Sequence, residues 1–148
     1  MGVGNDSRYN KSRVFDPFPF PERSEAVAEI AERLDAARKA ALAEDARLTM
    51  TGLYNFVAPI RDGTLPPEQE AAATRARAYI VAKLHDDLDS AVADAYGWGE
   101  EWRRAPLPPA EIVRRLVALN AERAKEEADG HIRWLRPEYQ IPRFGAKK

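Results

Sequence analysis

Apolar residues recur along this chain at three- and four-residue spacing, the pattern of amphipathic helices. The first such stretch follows Ser24, whose side chain can cap a helix, and runs to about Ala43. Its stripe consists of Val27, Ile30, Ala31, Leu34, Ala37 and Ala41. The pattern therefore predicts a first amphipathic helix from Ser24 to about Ala43.

A second, shorter helix is predicted after Thr51, which we take as its N-cap. Pro59 weakens the last turn of this helix, and Gly63 ends it. Its apolar positions are Leu53, Tyr54, Phe56, Val57 and Ile60.

Two longer helices are predicted downstream. Proline is tolerated in a first helical turn, so a central helix is expected from about Pro67 to Tyr96, with Gly97 as its stop and Lys83 and Asp87 as an exposed ion pair. A last helix is expected from about Pro109 to Asp129, with Gly130 at its C-cap. Its inward positions are Ile112, Val113, Leu116, Val117 and Leu119.

The two ends lack helical periodicity. Residues 15–21 alternate phenylalanine with proline, and each proline biases its predecessor to extended geometry. The tail, residues 131–148, is too irregular for a helix and too apolar to stay free. We expect an all-α fold, a small helical bundle of three to four helices with extended N- and C-terminal arms, divided into an arm (1–23) and a helical domain (24–148).

Composition excludes several classes of site. The 148 residues contain no cysteine, which excludes disulfides, thiolate metal sites and cysteine nucleophiles. No stretch approaches the roughly 20 apolar residues of a membrane helix, so no membrane partner and a cytoplasmic location are expected. The net charge of −1 gives no general attraction to DNA.

Basic residues nevertheless gather with aromatic ones near both ends of the chain. This mixture occurs at nucleic-acid interfaces, although it is a weak signal. The candidate phosphate contacts are Arg8, Lys11, Arg13, Arg133, Arg136 and Arg143. The pairs Arg103-Arg104 and Arg114-Arg115 lie beside glutamates and are interpreted as ordinary surface salt links.

No catalytic or cofactor motif is complete. Asp16-Pro17-Phe18-Pro19 lacks the two adjacent prolines of the amino-methyltransferase motif, and Gly2-Val3-Gly4 lacks the flanking strand and helix of a nucleotide loop. His85 and Asp89 share a helix face as two metal ligands would, but a third ligand is missing. We interpret that segment as a solvated acidic face and expect no catalytic residue, metal or cofactor in this chain.

Several segments occur in an order that resembles one known family. They are Ser12-Arg13-Val14-Phe15-Asp16-Pro17-Phe18-Pro19-Phe20-Pro21, Leu48-Thr49-Met50-Thr51-Gly52-Leu53-Tyr54-Asn55, Leu84-His85-Asp86-Asp87-Leu88-Asp89, Leu116-Val117-Ala118-Leu119-Asn120-Ala121-Glu122-Arg123 and Trp134-Leu135-Arg136-Pro137-Glu138-Tyr139-Gln140. Together they resemble the C-terminal region of bacterial class I S-adenosylmethionine-dependent DNA adenine methyltransferases, including single-chain MmeI-type restriction-modification enzymes.

The resemblance implies a supporting role. In that family the catalytic and cofactor motifs and a target-recognition domain lie upstream, and this chain would begin where the recognition domain ends. S-adenosylmethionine would bind the parent protein, and this chain would pack on the recognition and methyltransferase domains while an adenine is flipped out of duplex DNA. The candidate docking residues are Phe15, Phe18, Phe20, Trp134 and Tyr139.

Two rival functions stay open at this stage. An autonomous helical interaction or oligomerisation module would use the apolar arm and tail as its docking surface, and the arm would fold back or pair with another copy. A small stand-alone DNA-binding protein would show salt-sensitive binding, which the near-zero net charge argues against.

Overall fold

The computed structural model describes residues 15, 17–22, 24–134 and 137–145, without the side chains of Pro137, Tyr139, Arg143 and Phe144. All regular structure in these residues is helical, which confirms the predicted all-α fold class. The helices are α1 (Glu25–Glu44), α2 (Met50–Arg61), α3 (Glu70–Arg75), α4 (Ala78–Ala95), α5 (Gly99–Arg104), α6 (Pro109–Ala128) and α7 (Pro137–Phe144), with a 3-10 turn (Pro67–Gln69) before α3.

The chain divides into two compact units. Residues 23–105 form the first, which we call the core unit, and it contains α1 to α5. Residues 1–22 and 106–148 form the second, which we call the terminal unit, and it contains α6 and α7. The division into an arm (1–23) and a helical domain (24–148) stays a prediction.

Helix α4 is the centre of the core unit, where it packs against α1, α2, α3 and α5. Leu53 of α2 and Val81 of α4 are fully buried, and most other core side chains are small. Alanines at these contacts let the helix axes approach closely. The buried cluster comprises Leu34, Ala41, Leu53, Val57, Ala73, Ala76, Ala78, Val81, Ala82 and Leu84.

Helix α1 begins as predicted. Ser24 is its N-cap, and the Ser24 hydroxyl accepts a hydrogen bond from the backbone N–H of Val27 at 3.4 Å. Leu34 and Ala41 of the predicted stripe are buried. Ala31 is exposed, so its predicted place in the stripe is wrong; it lies at the edge of the face that contacts α4.

The N-cap of helix α2 lies two residues before the predicted one. The Thr49 hydroxyl, not that of Thr51, accepts from the backbone N–H of Gly52 at 3.0 Å. Both threonines can cap a helix, and the turn before Met50 gives Thr49 the extended backbone that an N-cap needs. The predicted stop is confirmed, because α2 ends at Arg61 and Gly63 has a φ of 67°.

The predicted continuous helix from Pro67 to Tyr96 is wrong. It is interrupted at Arg77, a non-glycine residue whose φ of 55° is left-handed. The Arg77 guanidinium forms a two-pronged ion pair with Glu44 at the end of α1. The break also buries Ala78 together with Ala73 and Ala76, whereas a straight helix would place Ala78 on a different face from those two.

Helix α6 does not have the predicted inward face. Val113 and Val117 are 58% and 64% exposed, so their predicted burial is wrong. Ile112, Leu116 and Leu119 are half-buried, and α6 has no buried residue. The physical reason is that α7 does not pack against α6, so within the terminal unit no helix covers it.

The tail also differs from the sequence prediction. Residues Pro137–Phe144 form a helix of eight residues, so the expected extended C-terminal arm is wrong over this range. Pro137 suits a first helical turn because its fixed φ is already helical and its missing N–H has no partner to lose there.

None of the helices in the described ranges combines the length and the apolar character needed to cross a bilayer.

Candidate functional site

The N-terminal aromatic residues form a cluster, which we call the aromatic knob (Phe15, Phe18 and Phe20). The ring of Phe20 lies 5.0 Å from that of Phe15 and 4.8 Å from that of Phe18, measured between centroids. The backbone turns here, since the N–H of Phe18 donates to the Phe15 carbonyl at 3.1 Å. Tilted rings at these separations attract one another. The rings therefore support each other rather than lying along an extended strand.

The aromatic knob is anchored on helix α6 of the same unit. The Arg123 guanidinium donates a hydrogen bond to the Phe20 carbonyl. Pro19 is buried and Phe20 is half-buried, while Phe15 and Phe18 remain 41% and 39% exposed. The knob is thus held by its inner residues and presents two aromatic rings to solvent.

The predicted docking residues of the tail are only partly described. Trp134 is half-buried, and Tyr139 lies in α7 with its side chain outside the described set. Ile132 and Ile141 are 52% and 48% exposed, which the sequence pattern did not single out. The terminal unit therefore presents aliphatic as well as aromatic side chains.

Arg133 is the one candidate phosphate contact whose side chain is described. Its guanidinium donates to both carboxylate oxygens of Glu126, at 2.8 and 3.1 Å, and lies 3.5 Å from a carboxylate oxygen of Glu22. The Arg133 hydrogen bond lowers the pKa of Glu126. A phosphate would have to displace these carboxylates. Arg8, Lys11, Arg13 and Arg136 lie outside the described residues, as does the side chain of Arg143.

A polar cluster on the core unit joins three helices, and the sequence did not predict it. Arg38 of α1 donates to the Tyr54 hydroxyl of α2 at 3.4 Å. The Tyr54 oxygen lies 2.7 Å from Nε2 of His85 in α4. The Tyr54 hydroxyl therefore bridges Arg38 and His85 through one oxygen atom.

The acidic residues beside His85 lie on an exposed face of α4, and two of them pair with an arginine of α2. Arg61 of α2 donates to Asp86 at 2.8 Å and also to Asp89. Burial alone would lower the pKa of Arg61, but the hydrogen bonds to Asp86 and Asp89 outweigh it and raise that pKa. These carboxylates neutralise an arginine, and no group of three or more metal-ligating side chains occurs in the described ranges.

The electrostatics around His85 favour its neutral form. Burial lowers the pKa of His85, and the positive charges of Arg61 and Arg38 lower it further, whereas Asp89 and Asp86 oppose the shift. The hydrogen bond between the Tyr54 hydroxyl and His85 Nε2, together with that from Arg38, ties α1, α2 and α4 together.

Three arginines of the remaining basic pairs, Arg103, Arg114 and Arg115, form surface ion pairs with carboxylates. Arg114 and Arg115 both donate to Glu111 at 2.7 Å, and these hydrogen bonds lower the pKa of Glu111 to about 2. Arg103 pairs at 2.7 Å with Asp94 of α4.

Comparison of the chain with protein-family models, with curated proteins and with solved structures gave no match.

Proposed function

We propose that this chain is the non-catalytic C-terminal helical domain of a site-specific DNA adenine-N6 methyltransferase or restriction-modification enzyme. It docks on the target-recognition and methyltransferase domains of that protein and contributes no catalytic residue. The observation that carries the docking role is the aromatic knob, whose Phe15 and Phe18 rings are exposed although the segment that bears them is fixed.

A fixed aromatic pair is suited to anchoring a protein interface. Large rings that insert into a partner pocket supply much of the binding energy of an interface. The hydrogen bond from Arg123 to Phe20 and the ring contacts hold the knob before binding, so little conformational entropy is lost when it docks. Trp134 and Tyr139 of the tail are the further docking residues of this proposal.

The proposed identity of the partner rests on the resemblance of several sequence segments to the C-terminal region of DNA adenine methyltransferases. S-adenosylmethionine and the base-flipping chemistry belong to the partner domains. This chain supplies no cofactor-binding residue, and its described side chains show a structural use for each acid of the α2–α4 cluster.

Contact with DNA phosphates is the second part of the proposed role. It is assigned to Arg8, Lys11, Arg13, Arg133, Arg136 and Arg143. Arg133 takes part only when phosphate replaces Glu126 and Glu22 as its partner. Binding that depends on these residues would weaken steeply with salt, because each neutralised phosphate releases counterions.

The test is reconstitution with the methyltransferase encoded directly upstream, whether in the same or in a separate reading frame. We expect the chain to co-purify with that protein and Phe15→Ser/Phe18→Ser to weaken the complex at least tenfold. Tyr79→Ser is the matched control, because Tyr79 is an aromatic residue of the core unit that is 43% exposed.

Two results would contradict the proposal. One is an unrelated gene upstream together with failure of the chain to bind a methyltransferase of the resembled family. The other is transfer of a labelled methyl group from S-adenosylmethionine to duplex DNA by this chain alone. Self-association lost in the Phe15→Ser/Phe18→Ser variant would support the rival, an autonomous oligomerisation module.

A further inference from the structure

Helix α6 carries an exposed apolar face that no other described helix of the terminal unit covers, and we call it the outer face of α6. Its positions are all exposed, and at about 100° per residue they fall within an arc of about 80°. The half-buried Ile112, Leu116 and Leu119 are centred about 130° away around the helix axis. The outer face consists of Ala110, Val113, Val117, Ala121, Ala124 and Ala128.

This face carries two exposed valines, whereas the solvent-facing side of a helix is usually polar. Val113 and Val117 lie four residues apart, one turn along the helix, and are more than half exposed. A second helix laid along the face would bury both of them against alanines. Positions 110, 113 and 117 repeat after 11 residues as 121, 124 and 128, a spacing that keeps the face nearly straight along the helix.

Charges at the two edges of the outer face differ in sign. Arg114 and Lys125 follow one edge, and Asn120 and Glu127 follow the other. Arg114 is paired with Glu111, whereas Lys125 and Glu127 form no ion pair with any other described residue. The face is therefore apolar along its centre, with a cation at one edge and an anion at the other, and neither is paired with another described residue.

These edges fit a second copy of the same face in one orientation only. When two such helices lie parallel and in register, the basic edge of each meets the acidic edge of the other. Lys125 then lies about 3 Å along the axis from Glu127 of the other copy, on both sides of the pair. In the antiparallel orientation the basic edges meet, and Arg114 opposes Lys125 of the other copy.

We propose that the outer face of α6 is a homodimer interface, in which α6 of one copy packs parallel and in register against α6 of a second copy. Alanine and valine permit close approach of the two axes, and the Lys125–Glu127 pairs set the orientation. This surface is separate from the aromatic knob, so the proposal does not depend on the proposed docking partner.

The first experiment measures oligomeric state by analytical ultracentrifugation of the full chain. We expect a concentration-dependent dimer, and we expect Val113→Gln/Val117→Gln to be monomeric at the same concentrations. Both valines are exposed and glutamine is a good helix former, so the circular dichroism of the variant should be unchanged. A monomeric wild-type chain, or a variant that dimerises equally well, would overturn the proposal.

Charge reversal tests the orientation. Lys125→Glu and Glu127→Lys should each weaken the dimer several-fold because each brings like charges together, and the double reversal should restore it. Residues two apart on one helix do not face each other, so the rescue cannot arise within a single chain. Absence of rescue would refute the parallel register.

Cysteines introduced singly report whether the two helices are parallel or antiparallel. They are informative because the chain has no cysteine of its own. The two ends of the outer face, Ala110 and Ala128, are about 27 Å apart. In a parallel pair, each residue of the outer face lies opposite the same residue of the other copy. Under oxidising conditions the Ala110→Cys variant alone and the Ala128→Cys variant alone should therefore each form an intermolecular disulfide, because the two Cα atoms come within bridging distance. Crosslinking only in a mixture of the two variants would show an antiparallel pair and overturn the proposal.

Discussion

At the scale of single residues, the Tyr54 hydroxyl links three helices. It accepts a hydrogen bond from Arg38 of α1 and lies 2.7 Å from Nε2 of His85 in α4. Protonation of His85 would place a further positive charge close to those of Arg61 and Arg38, which lower the pKa of His85.

This arrangement predicts a pH dependence of stability. The folded-state pKa of His85 is lowered, so the unfolded chain takes up the proton first. The free energy of unfolding should therefore be at its full value above about pH 6.5, the ordinary histidine pKa, and should fall as the pH drops below it. Arg38 and Arg61 strengthen the effect, and Asp86 and Asp89 weaken it.

The measurement is urea denaturation between pH 8 and pH 5, compared with His85→Gln. The glutamine amide can replace Nε2 as a partner of the Tyr54 hydroxyl without titrating. We expect the wild-type chain to lose more stability than His85→Gln over this pH range. Equal slopes in the two proteins would show that His85 does not titrate against folding.

The sequence indicated only those residues of this cluster that lie on one helix. The helical spacing of His85 and Asp89 is visible in the sequence because both lie on α4. Tyr54 is 31 residues from His85, and Arg61 is 28 residues from Asp89. Their meeting depends on the packing of α2 against α4, which periodicity does not encode.

At the scale of elements, the break between α3 and α4 is the feature that sequence periodicity obscured. Ala76 and Arg77 are both good helix formers, so nothing local marks an interruption. The break depends on tertiary contacts: Ala73, Ala76 and Ala78 are buried together, and Glu44 holds Arg77. By contrast, Ser24 and Gly97 are local signals, and they predicted the start of α1 and the end of α4.

The sign of the stability change caused by Arg77→Gly distinguishes a break at this position from a continuous helix. Glycine in a helix interior costs about 1 kcal/mol, whereas glycine at a left-handed position relieves about 1 kcal/mol or more of backbone strain. The lost pair with Glu44 is exposed and is worth at most about 1 kcal/mol. Arg77→Gly should therefore leave stability unchanged or raise it slightly.

Arg33→Gly is the matched control, because Arg33 is exposed within α1. It should lower the free energy of unfolding by about 1 kcal/mol. Thermal and chemical denaturation of both variants provide the measurement. If Arg77→Gly destabilised the chain as much as Arg33→Gly does, the helix would be continuous through Arg77.

At the scale of the whole molecule, buried surface is distributed unevenly between the two units. Helix α4 buries six residues against its neighbours, and α6 buries none. The sequence showed that α6 has apolar residues, but these lie on two separate faces. Periodicity identifies each face and cannot say which one has a neighbour, so the predicted core positions Val113 and Val117 were wrong.

This distribution predicts a gradient of backbone protection. Packing of an apolar face supplies most of the stability of a helix in a protein, and α6 buries no residue. Amides of α4 should therefore exchange with solvent deuterium only on opening of the core unit, and those of α6 through local unfolding at much lower free energy. Native-state hydrogen exchange followed by mass spectrometry measures both helices in one experiment.

The variant Val113→Gln/Val117→Gln separates the intrinsic stability of α6 from the effect of pairing. In the wild-type chain the protection of α6 should rise with protein concentration, because association through the outer face slows its opening. In the variant it should be low at every concentration, while α4 stays unchanged in both. Protection of α6 equal to that of α4 in the variant would mean that the terminal unit is stabilised by contacts other than those described here.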